Sequence, residues 1–274
     1  MDIRAVDIHD DDLMRDYHRI VEDGMHVGRE HAPRFTFAEY VGALRAPDSG
    51  ERAVHLGAFD DGRLVGVADV YLWLLDNTDK GWVEVVVDPA HRGRGVGSAL
   101  LTEAIAVAEA DGRTTIVSDS KIPFADVGDH PYRRFAEHRG FSLSNIEVVR
   151  HLPLPVDEAL LQKLADQAAE KTAGYRIETY VGSFPDELAE SLCVLLGQLA
   201  VDAPTGEVDY EEEVMTTERL AQRYAMSADM GRETYETVAV TPDGVVAAQS
   251  TLQVPLAGED AFQWGTFVHR DEHC

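Results

Sequence analysis

Apolar and polar positions along the first 150 residues switch between two periods. Residues 2–6 (DIRAV) predict a short strand. Leu13, Tyr17 and Ile20 recur at helical spacing on a helix that Asp11 or Asp12 can cap. Thr36 and Glu39 form a capping-box pair ahead of Phe37, Tyr40, Val41 and Leu44. A hairpin follows, with strands over 53–59 and 64–75 joined at Asp60-Asp61-Gly62. Residues 82–87 (WVEVVV) are apolar on nearly every position, which predicts a strand buried on both faces. A helix from about Ser98 to Ala110 stops at Gly112, and Thr114–Ser118 predicts another strand. A short helix over 131–138 and a strand pair within 141–152 complete this stretch.

The pattern then changes and begins again. Residues 152–174 hold two prolines, then Val156, Leu160, Leu161, Leu164 and Ala168 on one helical face, which predicts a helical linker. Beyond it come a strand at 175–180, a helix from about Asp186 with Leu188, Leu192, Leu195 and Leu199, and an acidic helical segment over 209–230. Strands at 234–240, 245–254 and 261–268 follow, the first two joined by Pro242-Asp243-Gly244. Asp61-Gly62 and Asp243-Gly244 lie 182 residues apart, and Val87 and Val268 lie 181 apart. This near-constant offset predicts an internal duplication. The expected organisation is a domain over 1–152, a linker over 153–174 and a partial second copy over 175–274. A copy ending on a central strand exposes an edge, so it is expected to lean on the first domain or on a partner chain.

Composition narrows the function. Apolar residues make up 45% and charged residues 27% of 274, a globular profile. No apolar run approaches the roughly 20 residues that span a bilayer, and the N-terminus has no secretory pattern, so no membrane is expected. Cys193 and Cys274 form neither a disulfide framework nor a zinc site, which fits a reduced, cytoplasmic setting. Eleven histidines include no HExxH-type spacing, and no metal is expected. The formal net charge of −26 argues against nucleic acid, whose phosphate backbone needs clustered Lys and Arg. It would attract cationic amines, although general solubility is the favoured explanation.

Residues 82–112 carry the chemistry. The strand at 82–87 leads to Arg92-Gly93-Arg94-Gly95-Val96-Gly97, a loop that runs straight into a helix beginning near Ser98. Alternating glycines let several N–H groups converge, and the helix start adds a positive partial charge, so the place suits a pyrophosphate. Arg92 and Arg94 could add ionic contacts. A P-loop is excluded because no Lys-Ser or Lys-Thr follows. A dinucleotide fingerprint fits poorly: the spacing is GxGxG and Asp88–Arg92 intervene, although Asp119 stands where a ribose-binding acid would be. A basic turn without a ligand is the remaining alternative.

The run Val87-Asp88-Pro89-Ala90-His91-Arg92-Gly93-Arg94-Gly95-Val96-Gly97 resembles the V-x-P-x-x-R-G-x-G-x-G signature of the GNAT superfamily of acyl-CoA-dependent N-acetyltransferases at every signature position. The order of elements resembles that family from residue 1 to about 152, and the whole chain is similar to tandem GNAT proteins with a degenerate second copy. The resemblance implies a mixed α/β fold with a splayed central sheet, plus a partial second repeat. It implies acetyl-CoA as cosubstrate, held by Arg92, Gly93, Arg94, Gly95, Val96, Gly97 and Ser98 at its pyrophosphate. Val85, Val86 and Val87 would bind the pantetheine arm and polarise the thioester carbonyl.

The acceptor implied is a small-molecule or peptide amine, whose ammonium must lose a proton before attack. Glu84 is the expected base, with Asp69, Glu30, His31 and Glu39 as weaker candidates for the acceptor pocket. Phe135-Ala136-Glu137-His138-Arg139-Gly140-Phe141 resembles the family's F-Y-x-x-x-G-F helix, but Ala136 stands at the tyrosine that usually protonates the thiolate. Tyr132, one turn earlier, is the candidate replacement. The second copy lacks RGxGxG and is expected to cover the first domain, shape the acceptor cleft or form a homodimer. Glu211, Glu212 and Glu213 could face a cationic acceptor. Two other classes stay open: a non-catalytic acyl-CoA-binding module, and an acidic interaction subunit.

Overall fold

The structure, a computed structural model, describes residues 1–29, 32–258 and 260–272. The first half holds a five-stranded sheet in the order β1 (Asp2–Ala5), β2 (Glu51–Asp60), β3 (Arg63–Trp73), β4 (Lys80–Val87) and β5 (Thr115–Val117). Neighbours are antiparallel up to β4, and β4 pairs with β5 in parallel. One face packs on α3 (Val96–Ala110), where Leu56, Ala68, Val70, Leu72 and Val83 meet Leu100, Leu101, Ala104 and Ala108. The other packs on α1 (Asp11–His26) and α2 (Phe37–Arg45), through Tyr17, Ile20, Val41 and Val67. Period 2 in the strands and 3.6 in the helices thus generate a helix–sheet–helix sandwich. The capping box at Thr36 and Glu39 forms, whereas α1 is capped by Asp10.

Two expectations fail. Residues 141–152 form no strand. A strand needs a ladder partner; instead, Ser144 O accepts from Glu207 N and the Asn145 side chain donates to Pro204 O, drawing the segment towards the second half. Nor are residues 209–216 helical: α7 spans Thr217–Asp229, capped by Thr216. The extended stretch before it reaches across to the first half. Glu211 accepts from Asn77 N, Glu212 pairs with Arg270, and Glu213 pairs with Arg219 and Arg223, so these carboxylates serve contacts within the protein.

Between the halves lies α5 (Glu158–Ala169), with α4 (Pro131–Glu137) before it in the chain. The α5 face of Leu160, Leu161 and Leu164 is exposed. The second half then retraces the first. Strand β6 (Arg176–Val181), helix α6 (Asp186–Asp202), α7, β7 (Arg232–Val240), β8 (Val246–Pro255) and β9 (Phe262–Val268) follow the order of β1-α1-α2-β2-β3-β4. Even the hairpin irregularity recurs, between Ala58 and Phe59 in one copy and Ala239 and Val240 in the other. Such a shared bulge marks one backbone design used twice. The halves meet through Arg219 with Asp48, Arg232 with Glu39, Asp76 with Val214 N, and the edge-on rings of Trp73 and Tyr210.

Candidate active site

Strand β4 pairs with β5 only through Lys80, Gly81 and Trp82. From Val83 onward its β5-facing edge has no ladder partner among the described residues, so the two strands part at the end from which the chain leads, through a short 3-10 turn over Pro89–His91, to the glycine loop. Val85 and Val87 pack towards α3 and Val86 packs towards α1. What Val85–Val87 share is therefore the open main-chain edge.

Gly93 (φ 73°) and Gly95 (φ 85°) are left-handed, which a residue with a Cβ adopts only at a cost. Gly95 is the N-cap of α3 and contributes no side-chain cap, and the first helical bond runs from Ala99 N to Gly95 O at 3.0 Å. The N–H groups of Val96, Gly97 and Ser98 precede it, and a helix start of this kind is an anion site. A Cβ built on Gly93 or Gly95 would meet nothing within 4 Å, whereas one on Gly97 would lie 3.3 Å from Val87 Cγ2. The loop is open on its outer side and close-packed on its inner side, which fits a diphosphate held by main-chain donors.

The arginines divide their work. Arg92 is bonded to the protein: it donates to Val87 O at 3.2 Å, Gly24 O at 3.3 Å and the Tyr132 hydroxyl at 2.9 Å. It braces the loop against β4, α1 and α4, while Arg94 stays exposed. The Ser98 hydroxyl is bonded by Arg139, and Tyr132 places its ring 5.4 Å from the Arg92 guanidinium.

On the α1 side of the sheet, His55, Asp69 and Glu84 form one cross-strand row. Asp69 Oδ1 accepts from the buried Tyr17 hydroxyl at 2.6 Å and pairs with His55 Nδ1 at 2.6 Å. The Glu84 carboxylate makes no hydrogen bond or ion pair with another described residue. Burial, followed by the charge of Asp69, pushes its pKa up to about 7, with Lys121 opposing and Asp119 adding. Burial also raises Tyr40 and Tyr71 well above the phenol range, helped by Asp69, so both stay protonated beside the row. His55, Tyr17, Tyr40 and Tyr71 are the members that sequence spacing missed. Only pairing register makes His55, Asp69 and Glu84 neighbours, and residue separation says nothing of it. Of the weaker candidates, Asp69 joins the row and Glu39 turns to Arg232. Glu30 and His31 lie outside the described residues.

The second copy has the same row with other chemistry: Glu236, Thr251 and Gly265. Glu236 accepts from the hydroxyls of Thr251 and Tyr224, and Gly265 supplies no carboxylate where Glu84 stands in the first copy. No group of three or more metal-ligating side chains occurs among the described residues, and no helix among them is long and apolar enough to cross a membrane.

Strands that part beside a helix start rich in free N–H groups suit a long phosphorylated thioester, and a carboxyl poised near neutrality suits proton removal. The class so defined is the acyltransferase. A profile of the acetyltransferase (GNAT) family matches residues 12–141, and this domain belongs to that family. The full length has the fold of a tandem GNAT protein. A solved tandem GNAT protein from the clavulanic acid biosynthesis pathway is 22% identical, with 98% of this chain and 79% of that one covered at a TM-score of 0.69. A GCN5-related N-acetyltransferase from Sphaerobacter thermophilus is 17% identical, with 98% and 76% covered at 0.58. No curated protein matches the chain by sequence.

Proposed function

We propose that the chain transfers an acetyl group from acetyl-CoA to a primary amine of a small molecule or peptide by direct attack, in a cytoplasmic setting. The observation that carries this reading is Glu84: a buried carboxyl pushed up to about 7, paired across the sheet with Asp69, on the strand that precedes the glycine loop. An alkyl ammonium has a pKa near 10.4, so proton transfer to an ordinary glutamate would cost about 8 kcal/mol. Raising the acceptor to about 7 lowers that cost by roughly 3 kcal/mol, in the range that one positioned base contributes.

The remaining roles are those that the family resemblance implies, and the geometry is compatible with them. Acetyl-CoA supplies the activated thioester. The N–H groups of the 92–97 loop and of Val96, Gly97 and Ser98 hold its diphosphate, with Arg94 adding charge and Arg92 holding the loop in shape. The open edge of Val85–Val87 takes the pantetheine arm and gives the thioester oxygen a main-chain donor, a contribution of a few kcal/mol. Glu84 takes the ammonium proton. Tyr132 is the candidate acid for the departing thiolate: its oxygen accepts from Arg92, which leaves its own proton to be donated. Domain limits of 1–152 and 175–274 about a linker at 153–174 fit the recurrence of elements.

Calorimetric titration of acetyl-CoA into the native chain and a Gly95→Glu variant tests the cradle. One site per chain, lost in the variant, is expected; no binding to the native chain overturns the reading. Turnover across an amine panel then separates an enzyme from a non-catalytic acyl-CoA-binding module, the reading that Ala136 favours. An unchanged kcat in Tyr132→Phe would remove that residue from the mechanism.

A further inference from the structure

Glu39 and Tyr40 are consecutive on α2 and point to different places. Glu39 Oε2 accepts from Thr36 N at 2.7 Å and closes the capping box. Its Oε1 accepts from Nε and Nη2 of Arg232 at 3.1 and 3.0 Å. Arg232 belongs to the second copy, at the start of β7, and is only 4% exposed. Its guanidinium lies over the rings of Phe262 and Phe35, at 4.5 and 5.4 Å, and those rings stack 5.9 Å apart across the junction of the copies. Phe35 immediately precedes the Thr36 cap. The entry to α2 is thus held by the second copy through an ion pair, a ring stack and a cation over both rings.

Tyr40 is the next residue. Its ring lies 6.2 Å from that of Tyr17, which donates to Asp69, and its hydroxyl is held protonated by burial and by the nearby Asp69 and Glu84. It therefore borders the row of His55, Asp69 and Glu84 on the helix α1–α2 side of the sheet. We propose that the second copy serves the reaction as a clamp on α2, with Arg232 a positioning residue that fixes Tyr40 beside Glu84 and so shapes the amine cleft.

The alternative is that the pair only glues the halves together. Buried ion pairs are poor glue, because desolvation cancels most of their attraction and an apolar replacement often serves as well. This pair is not saturated either: Arg232 Nη1 and Thr234 Oγ1, buried on the same strand face, have no hydrogen-bond partner. What two guanidinium N–H groups converging on Glu39 Oε1 add over apolar packing is a fixed orientation. Gly42 supports the close fit, since a Cβ there would lie 3.1 Å from Asp229 O of α7.

The proposal rests on the acceptor cleft lying at Glu84, so its test needs a readout that does not depend on turnover. The double variant Glu39→Gln/Arg232→Met keeps the capping box, removes both charges and leaves an apolar side chain against the rings. It is expected to melt near the native temperature and to bind acetyl-CoA with native affinity. Amide exchange in α2 should rise about tenfold, that in α3 should stay native, and kcat/KM for the amine should fall about tenfold. Unchanged exchange in α2 overturns the clamp even if the native chain proves to be a good acetyltransferase. Faster exchange in α3 together with lost acetyl-CoA binding also overturns it, because the pair would then be general glue. A native chain that turns over no amine would sink the acceptor reading, and the α2 exchange result would still be read separately.

Discussion

Glu84 has a folded pKa of about 7 against an unfolded value near 4.5, and the sign of that shift has two consequences. The base form prevails above neutrality, so kcat/KM should rise through about pH 7. Glu84→Gln should lower kcat by about 10²–10⁴-fold and abolish that limb, which a pH–rate profile measures. Stability runs the other way. A carboxyl raised on folding stabilises below its unfolded pKa, and that contribution is lost as pH climbs through the folded value. Glu84→Gln should therefore be more stable than the native protein at pH 8, by at most about 3 kcal/mol, and close to it at pH 4. Urea midpoints at the two pH values check this. Asp69→Asn removes the charge opposite Glu84 and should move the kinetic limb downward by about one pH unit. A carboxyl NMR titration of Glu84 would show the same shift without substrate.

At the scale of elements, the glycines show where backbone and neighbour touch. Gly24 of α1 faces β4, and a Cβ there would lie 2.3 Å from Val86 Cγ1. Gly24→Ala should cost about 1–3 kcal/mol, and Val86→Ala in the same chain should recover much of it; urea denaturation of the native protein, the single and the double variant checks this. The helices and the central strands were legible in sequence because each owes its form to a local period and a local stop. Thr36 and Glu39 announce α2, and Asp60-Asp61-Gly62 announces the first hairpin. The strand pair expected at 141–152 and the helix at 209–216 were misread for one reason. Both segments have adequate local patterns, but they spend their backbone and side-chain bonds on the other half, at Pro204–Glu207 and at Asp76–Asn77.

For the whole molecule, charge and duplication are the dominant facts. A net charge of −26 should attract a cationic acceptor and repel an anionic cosubstrate. Raising salt from about 20 to about 500 mM should therefore raise KM for a cationic amine and lower KM for acetyl-CoA. Steady-state kinetics at the two ionic strengths would show opposite slopes, and parallel slopes would discount steering. The two copies keep the same strand order and bulge, and where the first has Glu84 the second has Gly265 in the matching row position. The second copy meets the first through Arg219, Arg232 and the main chain at Val214.

Sequence alone determined the glycine loop, its helix, the strand before it and the duplication, because these rest on local conformational demands and on a periodicity that repeats along the chain. It also singled out Glu84, since a carboxylate in an apolar strand stands out without any structure. Only the tertiary structure decided that His55, Asp69 and Glu84 share a row, that Arg92 braces the protein, and that Arg232 reaches Glu39 from 193 residues away. Register and packing set those meetings, and neither is a property of residues near one another in the chain.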